Sequence, residues 1–106
     1  VIINAKNNIK ETIIGTITSI VSSSSIYEEG TMIIGMAHYE DKIKVSTRLT
    51  GRKGNNIRKI LSSIIEKTGG EVGGHEFAAG AIINQEKEIE FIDLLKKSFE
   101  VEMIKV

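Results

Sequence analysis

Ile9, Ile13, Ile14, Ile17, Ile20 and Val21 recur at intervals of three and four. That spacing holds one side of a 3.6-residue helix apolar, so it predicts a first helix over positions 9 to 23. Asn8 followed three residues later by Glu11 has the spacing of a capping box at its start. Gly15 and Ser19 lie four apart on this helix, and two small residues in line let another backbone pack close. The serine run at 22 to 25 and the turn residues Glu28, Glu29 and Gly30 end it. Positions 32 to 37 are apolar on both alternations, as in a buried strand, whereas 42 to 49 alternate apolar and polar. The few residues at 39 to 41 make the two a hairpin. In its second strand Ile43, Val45, Thr47 and Leu49 share one face, leaving Lys44, Ser46 and Arg48 on the other as a binding surface or a solvated one.

Beyond a polar loop at 51 to 55, Ile57, Ile60, Leu61, Ile64 and Ile65 form the stripe of a second helix, with Arg58, Lys59, Ser62 and Ser63 outward and Gly69-Gly70 as its stop. Phe77-Ala78-Ala79 is compact enough to open a short helical turn, and Ala81-Ile82-Ile83 reads as a short buried strand. Asn84 then caps a third helix with core stripe Ile89, Ile92, Leu95 and Phe99. Glu86 and Glu88 in its first turn and Lys96 and Lys97 in its last match the helix dipole. Positions 1 to 3 and 101 to 106 are short and apolar, as paired edge strands would be. The resulting expectation is an α/β fold: one domain over 1 to 106, a small mixed sheet of four to five strands, and three main helices.

At 106 residues the chain suits one core of two packed layers. It opens on Val1 rather than methionine, as a piece cut from a longer protein would. The absence of cysteine excludes a disulfide frame and a thiolate metal site, and makes the cytoplasm the expected location. No apolar run approaches the ~20 residues that cross a bilayer, so a membrane is not an expected partner. Formal net charge is zero, but Lys42, Lys44, Arg48, Arg52, Lys53, Arg58 and Lys59 fall within 42 to 65, where there is no acidic residue. Arginine presents a planar fork that fits phosphate oxygens, so this window points to a phosphate-bearing ligand; a solvated charged face is the simpler alternative. Without tryptophan and with few other aromatics, the chain has no evident platform for stacking bases.

The most concentrated chemistry lies at 69 to 80. Gly69, Gly70, Gly73 and Gly74 permit tight turns in which successive N–H groups converge on an anion, and His75 adds a donor that can also carry a proton near neutral pH. The same glycines would serve equally as helix ends and turns. Hydrolysis by two metal ions needs several carboxylates and histidines around cations about 4 Å apart. This chain has only Asp41, Asp93, His38 and His75 besides its glutamates, none in ligand spacing. His38 reads as structural and the glutamates as solvated. Neither Ser19 nor Ser46 has a paired base that would make it a nucleophile.

Gly73-Gly74-His75-Glu76-Phe77-Ala78-Ala79-Gly80 resembles the GGH-x-x-AAG motif of the DHH-associated domain, the C-terminal substrate-binding half of DHH-superfamily phosphoesterases such as RecJ. Positions 9 to 21 and 42 to 48 resemble segments of archaeal RecJ-like exonucleases in the same order, so the similarity spans about residues 9 to 100. Glu71-Val72 stands where many relatives have a longer glycine run. The resemblance implies a manganese-dependent single-strand exonuclease of DNA repair or replication whose metal, manganese or magnesium, is held by a preceding DHH domain. This chain would bind no cofactor and be inactive alone. By position, Arg48 and Ser46 would hold a substrate phosphate, Gly73 and Gly74 would offer amides, and His75 would assist at the phosphate nearest the chemistry; Lys44 and Arg52 are weaker candidates. Expected partners are single-stranded nucleic acid or a short oligonucleotide, the DHH domain of the same polypeptide, and the GINS replication complex. Two alternatives are a phosphodiesterase of short oligonucleotides or cyclic dinucleotides, and a noncatalytic nucleic-acid binder like the C-terminal domain of alanyl-tRNA synthetase.

Overall fold

Strict alternation at 42 to 49 and an apolar run before it produce the central hairpin. Strand β2 (Met32–Tyr39) pairs antiparallel with β3 (Lys42–Leu49) from Met32 opposite Leu49 to Tyr39 opposite Lys42, leaving Glu40 and Asp41 as a two-residue turn. Glu40 takes φ +54°, the left-handed geometry that such a turn requires. The computed structural model describes residues 1–51, 54–98 and, for the backbone alone, 103–105.

Around this hairpin a six-stranded mixed sheet forms in the order β4-β5-β3-β2-β1-β6. Here β1 is Ile2–Lys6, β4 Glu71–His75, β5 Ala78–Asn84 and β6 Met103–Lys105. Strand β1 runs parallel to β2 and to β6, and the other pairings are antiparallel. The crossover from β1 to β2 is helix α1 (Glu11–Ser23), which packs on β2 and β3. Helices α2 (Ile57–Thr68) and α3 (Glu88–Ser98) cover the opposite face. There the main core brings Ile34, Met36, Val45 and Ile83 of the sheet against Ile57, Leu61, Phe91 and Leu95. On the α1 face two smaller apolar clusters form around Ile33 and around Ile14. The contact under α1 is close: a Cβ built on Gly35 would lie 2.1 Å from Thr18 Oγ1, so only glycine admits the helix here.

The α/β class, the mixed sheet and the three helices follow the hydrophobic pattern, and β4 is the strand that pattern leaves out. Several finer expectations are corrected. Lys10, not Asn8, is the N-cap of α1, and it makes no side-chain capping bond. Of the α1 stripe Ile14 is buried, while Ile13 and Ile20 are 46% and 64% exposed. Phe77-Ala78-Ala79 is not helical: Phe77 is in the turn, and Ala78 starts β5. Within β5, Ile82 is 44% exposed rather than buried. Asn84 makes no capping bond; a 3₁₀ turn, Gln85–Lys87, intervenes before α3. Of the α3 stripe Ile92 and Leu95 are buried as expected, but Ile89 is 75% exposed and Phe91 is buried in its place. Phe99, Val101 and Val106 lie outside the described residues. Strand β1 is interior, between β2 and β6, rather than an edge.

Candidate functional site

Three neighbouring strands assemble the expected site residues. The register sets Arg48 opposite Ala78 and Ala78 opposite His75. It likewise sets Ser46 opposite Gly80 and Gly80 opposite Gly73, and Lys44 opposite Ile82. Residues directly opposite one another point to the same side of a sheet, so Arg48, Ser46, Lys44, Gly73 and His75 share a face. With β5 between them, β3 and β4 are roughly 10 Å apart. This is the α1 face, and because α1 packs on β2 and β3, β5 and β4 remain open beside it.

Arg48 lies along its own strand. Its Nη1 donates to Ser46 Oγ at 3.2 Å and to the Thr47 carbonyl at 2.8 Å. The rest of the guanidinium fork is uncommitted, and neither Arg48 nor Lys44 has a carboxylate partner among the described residues. A cleft of about 420 Å³ opens between α1 and β3, lined by Thr12, Gly15, Thr16 and Ser19 on the helix and by Lys44 and Arg48 on the strand. A smaller groove, about 350 Å³, continues from Lys44 across Gly80, Ile82 and Gly73.

His75 is exposed but its ring is fixed. Its Nδ1 accepts from the Phe77 N–H at 3.3 Å, which leaves the neutral ring's proton on Nε2 as an outward donor. The Phe77 ring meets it edge-on, with centroids 6.3 Å apart. The turn that carries it is tied to two other elements: Leu49 N–H donates to the Phe77 carbonyl at 2.9 Å and Ile57 N–H to the Glu76 carbonyl at 3.1 Å. Arg58 Nη1 reaches the Gly74 carbonyl at 2.8 Å.

The expected anion-binding loop is therefore corrected to an edge strand. Gly73 and Gly74 pair with Gly80 and Ala79, and alternate amides of a strand point in opposite directions, so these two do not converge on one anion. Gly74 is required by the fold: it takes φ +107°, and a Cβ would lie 2.4 Å from the Ala78 carbonyl oxygen. At Gly73 a Cβ would meet nothing within 4 Å, so the fold places no demand for glycine there. Arg52, like Lys53, lies outside the described residues.

A family model for the DHHA1 domain matches residues 1–101. The chain belongs to that family. No curated protein matches it in sequence. Among solved structures it resembles the C-Ala domain of Aquifex aeolicus alanyl-tRNA synthetase, with TM-score 0.71 and 14% identity over 91% of this chain and 87% of that one. It also resembles RecJ from Thermus thermophilus, solved in complex with Mg2+, with TM-score 0.64 and 15% identity. That match covers 100% of this chain but 16% of the RecJ chain, so the DHHA1 fold recurs there as one part of a much longer protein.

A second polar cluster in this DHHA1 domain was not anticipated. On the α3 side, His38 Nε2 lies 2.9 Å from Glu88 Oε1 and its Nδ1 lies 2.6 Å from Gln85 Nε2. Asn4 Nδ2 donates to the same carboxylate oxygen at 3.4 Å, and Lys6 Nζ is 3.8 Å from Oε2. Burial alone would raise the Glu88 pKa, but the hydrogen bonds from His38 and Asn4 and the nearby Lys6 charge outweigh it and hold the carboxyl below its ordinary value. His38 is structural, as expected; Glu88 is not the solvated residue its helix position suggested. Sequence separation hides this pairing, since His38 and Glu88 are fifty positions apart. Arg58 was likewise placed outward with no role, and the basic window around it was the only signal. Among the described residues no group of three or more histidines and carboxylates could hold a metal ion. No helix among them is long and apolar enough to cross a membrane.

Proposed function

We propose that this DHHA1 domain is the substrate-binding half of a RecJ-like, manganese-dependent exonuclease acting on single-stranded nucleic acid. What supports the reading is the alignment of Arg48, Ser46 and His75 on one open sheet face, with a guanidinium committed only through Nη1 and an outward Nε2–H. Guanidinium and hydroxyl donors suit a phosphodiester, and a chain with no tryptophan and few other aromatics fits backbone rather than base recognition. The described residues do not fit a metal centre. In this reading manganese or magnesium is held by a DHH domain of the same polypeptide, and no step is derived through it. The domain's own part is to orient the strand: Arg48 and Ser46 fix one phosphate, and His75 offers a proton donor to the oxygen that gains charge. Location in the cytoplasm and work in DNA repair or replication go with this reading. Neither the fold nor the site argues for a GINS contact.

The fold likeness to the C-Ala domain favours keeping one rival, a noncatalytic nucleic-acid binder. A phosphodiesterase of dinucleotides would use the same face as the exonuclease. Binding of a fluorescent single strand, followed by anisotropy across a salt series, tests the shared premise. Affinity should fall as salt rises, and Arg48→Ala should weaken it about tenfold. Lys59→Ala, on α2 across the sheet, should change it little. Equal losses from both would mean that diffuse charge binds the strand and that no defined phosphate site exists on β3.

A further inference from the structure

His75 is held on both sides by neighbouring residues of one helix. The first residue of α2, Ile57, donates its N–H to the Glu76 carbonyl at 3.1 Å, and the second, Arg58, donates from Nη1 to the Gly74 carbonyl at 2.8 Å. The Ile57 N–H is one of the leading amides that no turn of its own helix can satisfy, so it looks outward for an acceptor. Another, the Lys59 N–H, is taken by the Asn56 side chain at 3.1 Å, which fixes the start of the helix. Although α2 covers the opposite face of the sheet, β4 is the last strand, so the first turn of α2 reaches the carbonyls at its end.

These ties differ in what they depend on. The bonds from Ile57 and Leu49 to the Glu76 and Phe77 carbonyls run from main chain to main chain, and they hold the turn after His75 whatever the side chains. Before His75 the chain is Gly73-Gly74, which has no side chains to limit it. Beyond the pairing with β5, what holds that stretch among the described residues is the Arg58 guanidinium. The Gly74 carbonyl and the His75 N–H belong to one planar peptide unit, so orienting the carbonyl orients the main chain on which the imidazole stands. Nothing draws Arg58 elsewhere. The positions three and four away from it, Gly54, Asn55, Leu61 and Ser62, carry no carboxylate, and no carboxylate pairs with it among the described residues.

We propose that Arg58 is a positioning residue for His75: through the Gly74 carbonyl it sets the main chain before the histidine, so that Nδ1 stays on the Phe77 N–H and Nε2–H stays outward. Arg58 touches no substrate in this role. The inference rests on the reading of His75 as the donor at the reacting phosphate, and it adds the residue that keeps the donor oriented before a substrate arrives, as preorganisation requires. It also divides the basic window, since Arg58 then serves the turn and not a phosphate.

The test is nuclear magnetic resonance of the chain without nucleic acid, read at the ring nitrogens of His75 at about pH 9, where an ordinary imidazole is neutral. With two histidines in the chain, His75→Ala assigns the signals, and His38, held by Glu88 and Gln85, is the internal control. In the parent the two His75 nitrogens should stand far apart, one bare and one protonated. In Arg58→Ala they should move toward each other as the second tautomer fills, and the Phe77 amide should exchange about threefold faster or more, with His38 unchanged. Arg58→Lys, which keeps a charged donor of similar reach, should restore most of the parent pattern. A parallel salt series with a fluorescent single strand separates positioning from phosphate contact: the slope of log affinity against log salt should be the same for the parent and Arg58→Ala. Ring signals that stay in place in Arg58→Ala overturn the proposal, whatever happens to the melting temperature. A slope smaller by about one in Arg58→Ala would make Arg58 itself a phosphate ligand and overturn it as well. If the parent binds no strand, the reading of the open face fails, while the ring signals still decide whether Arg58 sets His75.

Discussion

Adjacent glycines on β4 are glycine for different reasons, and the difference can be measured. Gly74 holds φ +107° with the Ala78 carbonyl oxygen 2.4 Å and the Ala79 Cα 2.6 Å from where a Cβ would stand. Gly74→Ala must therefore distort the turn that carries His75, at an expected cost of about 2 kcal/mol or more. Gly73 has no such constraint, and its Cβ would enter empty space on the open face. Gly73→Ala should leave stability within about 0.5 kcal/mol of the parent. If a nucleic-acid strand crosses the row of Ser46, Gly80 and Gly73, the added methyl should nevertheless weaken its binding. Urea melts and anisotropy on the two variants separate the roles. A Gly73→Ala chain that melts and binds like the parent would show that the missing side chain at this position serves no ligand.

At the scale of elements, Glu88 ties the start of α3 to β1 and β2 through Asn4, Lys6 and His38. Its folded-state pKa is lowered, so the stability it contributes is fully present above the unfolded value of about 4.3 and is lost as pH falls through the lower folded value. Glu88→Gln should therefore cost about 1 kcal/mol near pH 7, a fall of roughly 4–8 °C in Tm, with the gap to the parent closing below pH 4. Thermal melts from pH 3 to 7 read this directly, and a gap that is constant with pH would rule out the charge as the cause. The same region shows which parts of the fold the sequence leaves legible. Periodicity located β3 and α2 almost to the residue, because each has one face that must be buried and one that need not be, and a short run apolar on both alternations marked β2, which is buried on both faces. It failed at the start of α3, where it put Ile89 in the core instead of Phe91 while placing Ile92 and Leu95 correctly: the helix begins only at Glu88, after a 3₁₀ turn at Gln85–Lys87 that carries no apolar signal. It failed again at β4, whose glycines read as a loop: backbone pairing with β5 creates that strand, and side-chain pattern does not report backbone pairing. The rows joining Arg48 to His75 and Ser46 to Gly73 depend on register between strands distant in sequence, so single positions could be nominated but not their shared face.

Across the whole molecule, α2 and α3 seal one side of the sheet, while on the other α1 leaves β4 and β5 uncovered next to Arg48 and Lys44. A surface of that kind suits a domain that closes over a strand against a second body, and it sets a different task for each polar side chain on it. Arg48 and Ser46 can hold a phosphate in the ground state and the transition state alike. His75 lies in the same cross-strand row as Arg48 but two strands away, beside a turn tied to β3 and α2, with its Nε2–H outward, where it can meet a phosphate oxygen as charge accumulates. Only an interaction that strengthens in the transition state raises turnover, so under the proposed function His75→Ala in a protein that joins this domain to a DHH domain should lower kcat about 100-fold with a small change in KM. Arg48→Ala should instead act chiefly on KM. Steady-state kinetics on a labelled single strand, with circular dichroism to confirm folding, distinguish the two patterns. A His75→Ala enzyme whose KM rises while kcat holds would make the imidazole a plain binding contact. One with both constants unchanged would leave His75 as part of the turn, with its ring held by Phe77 for structural reasons alone.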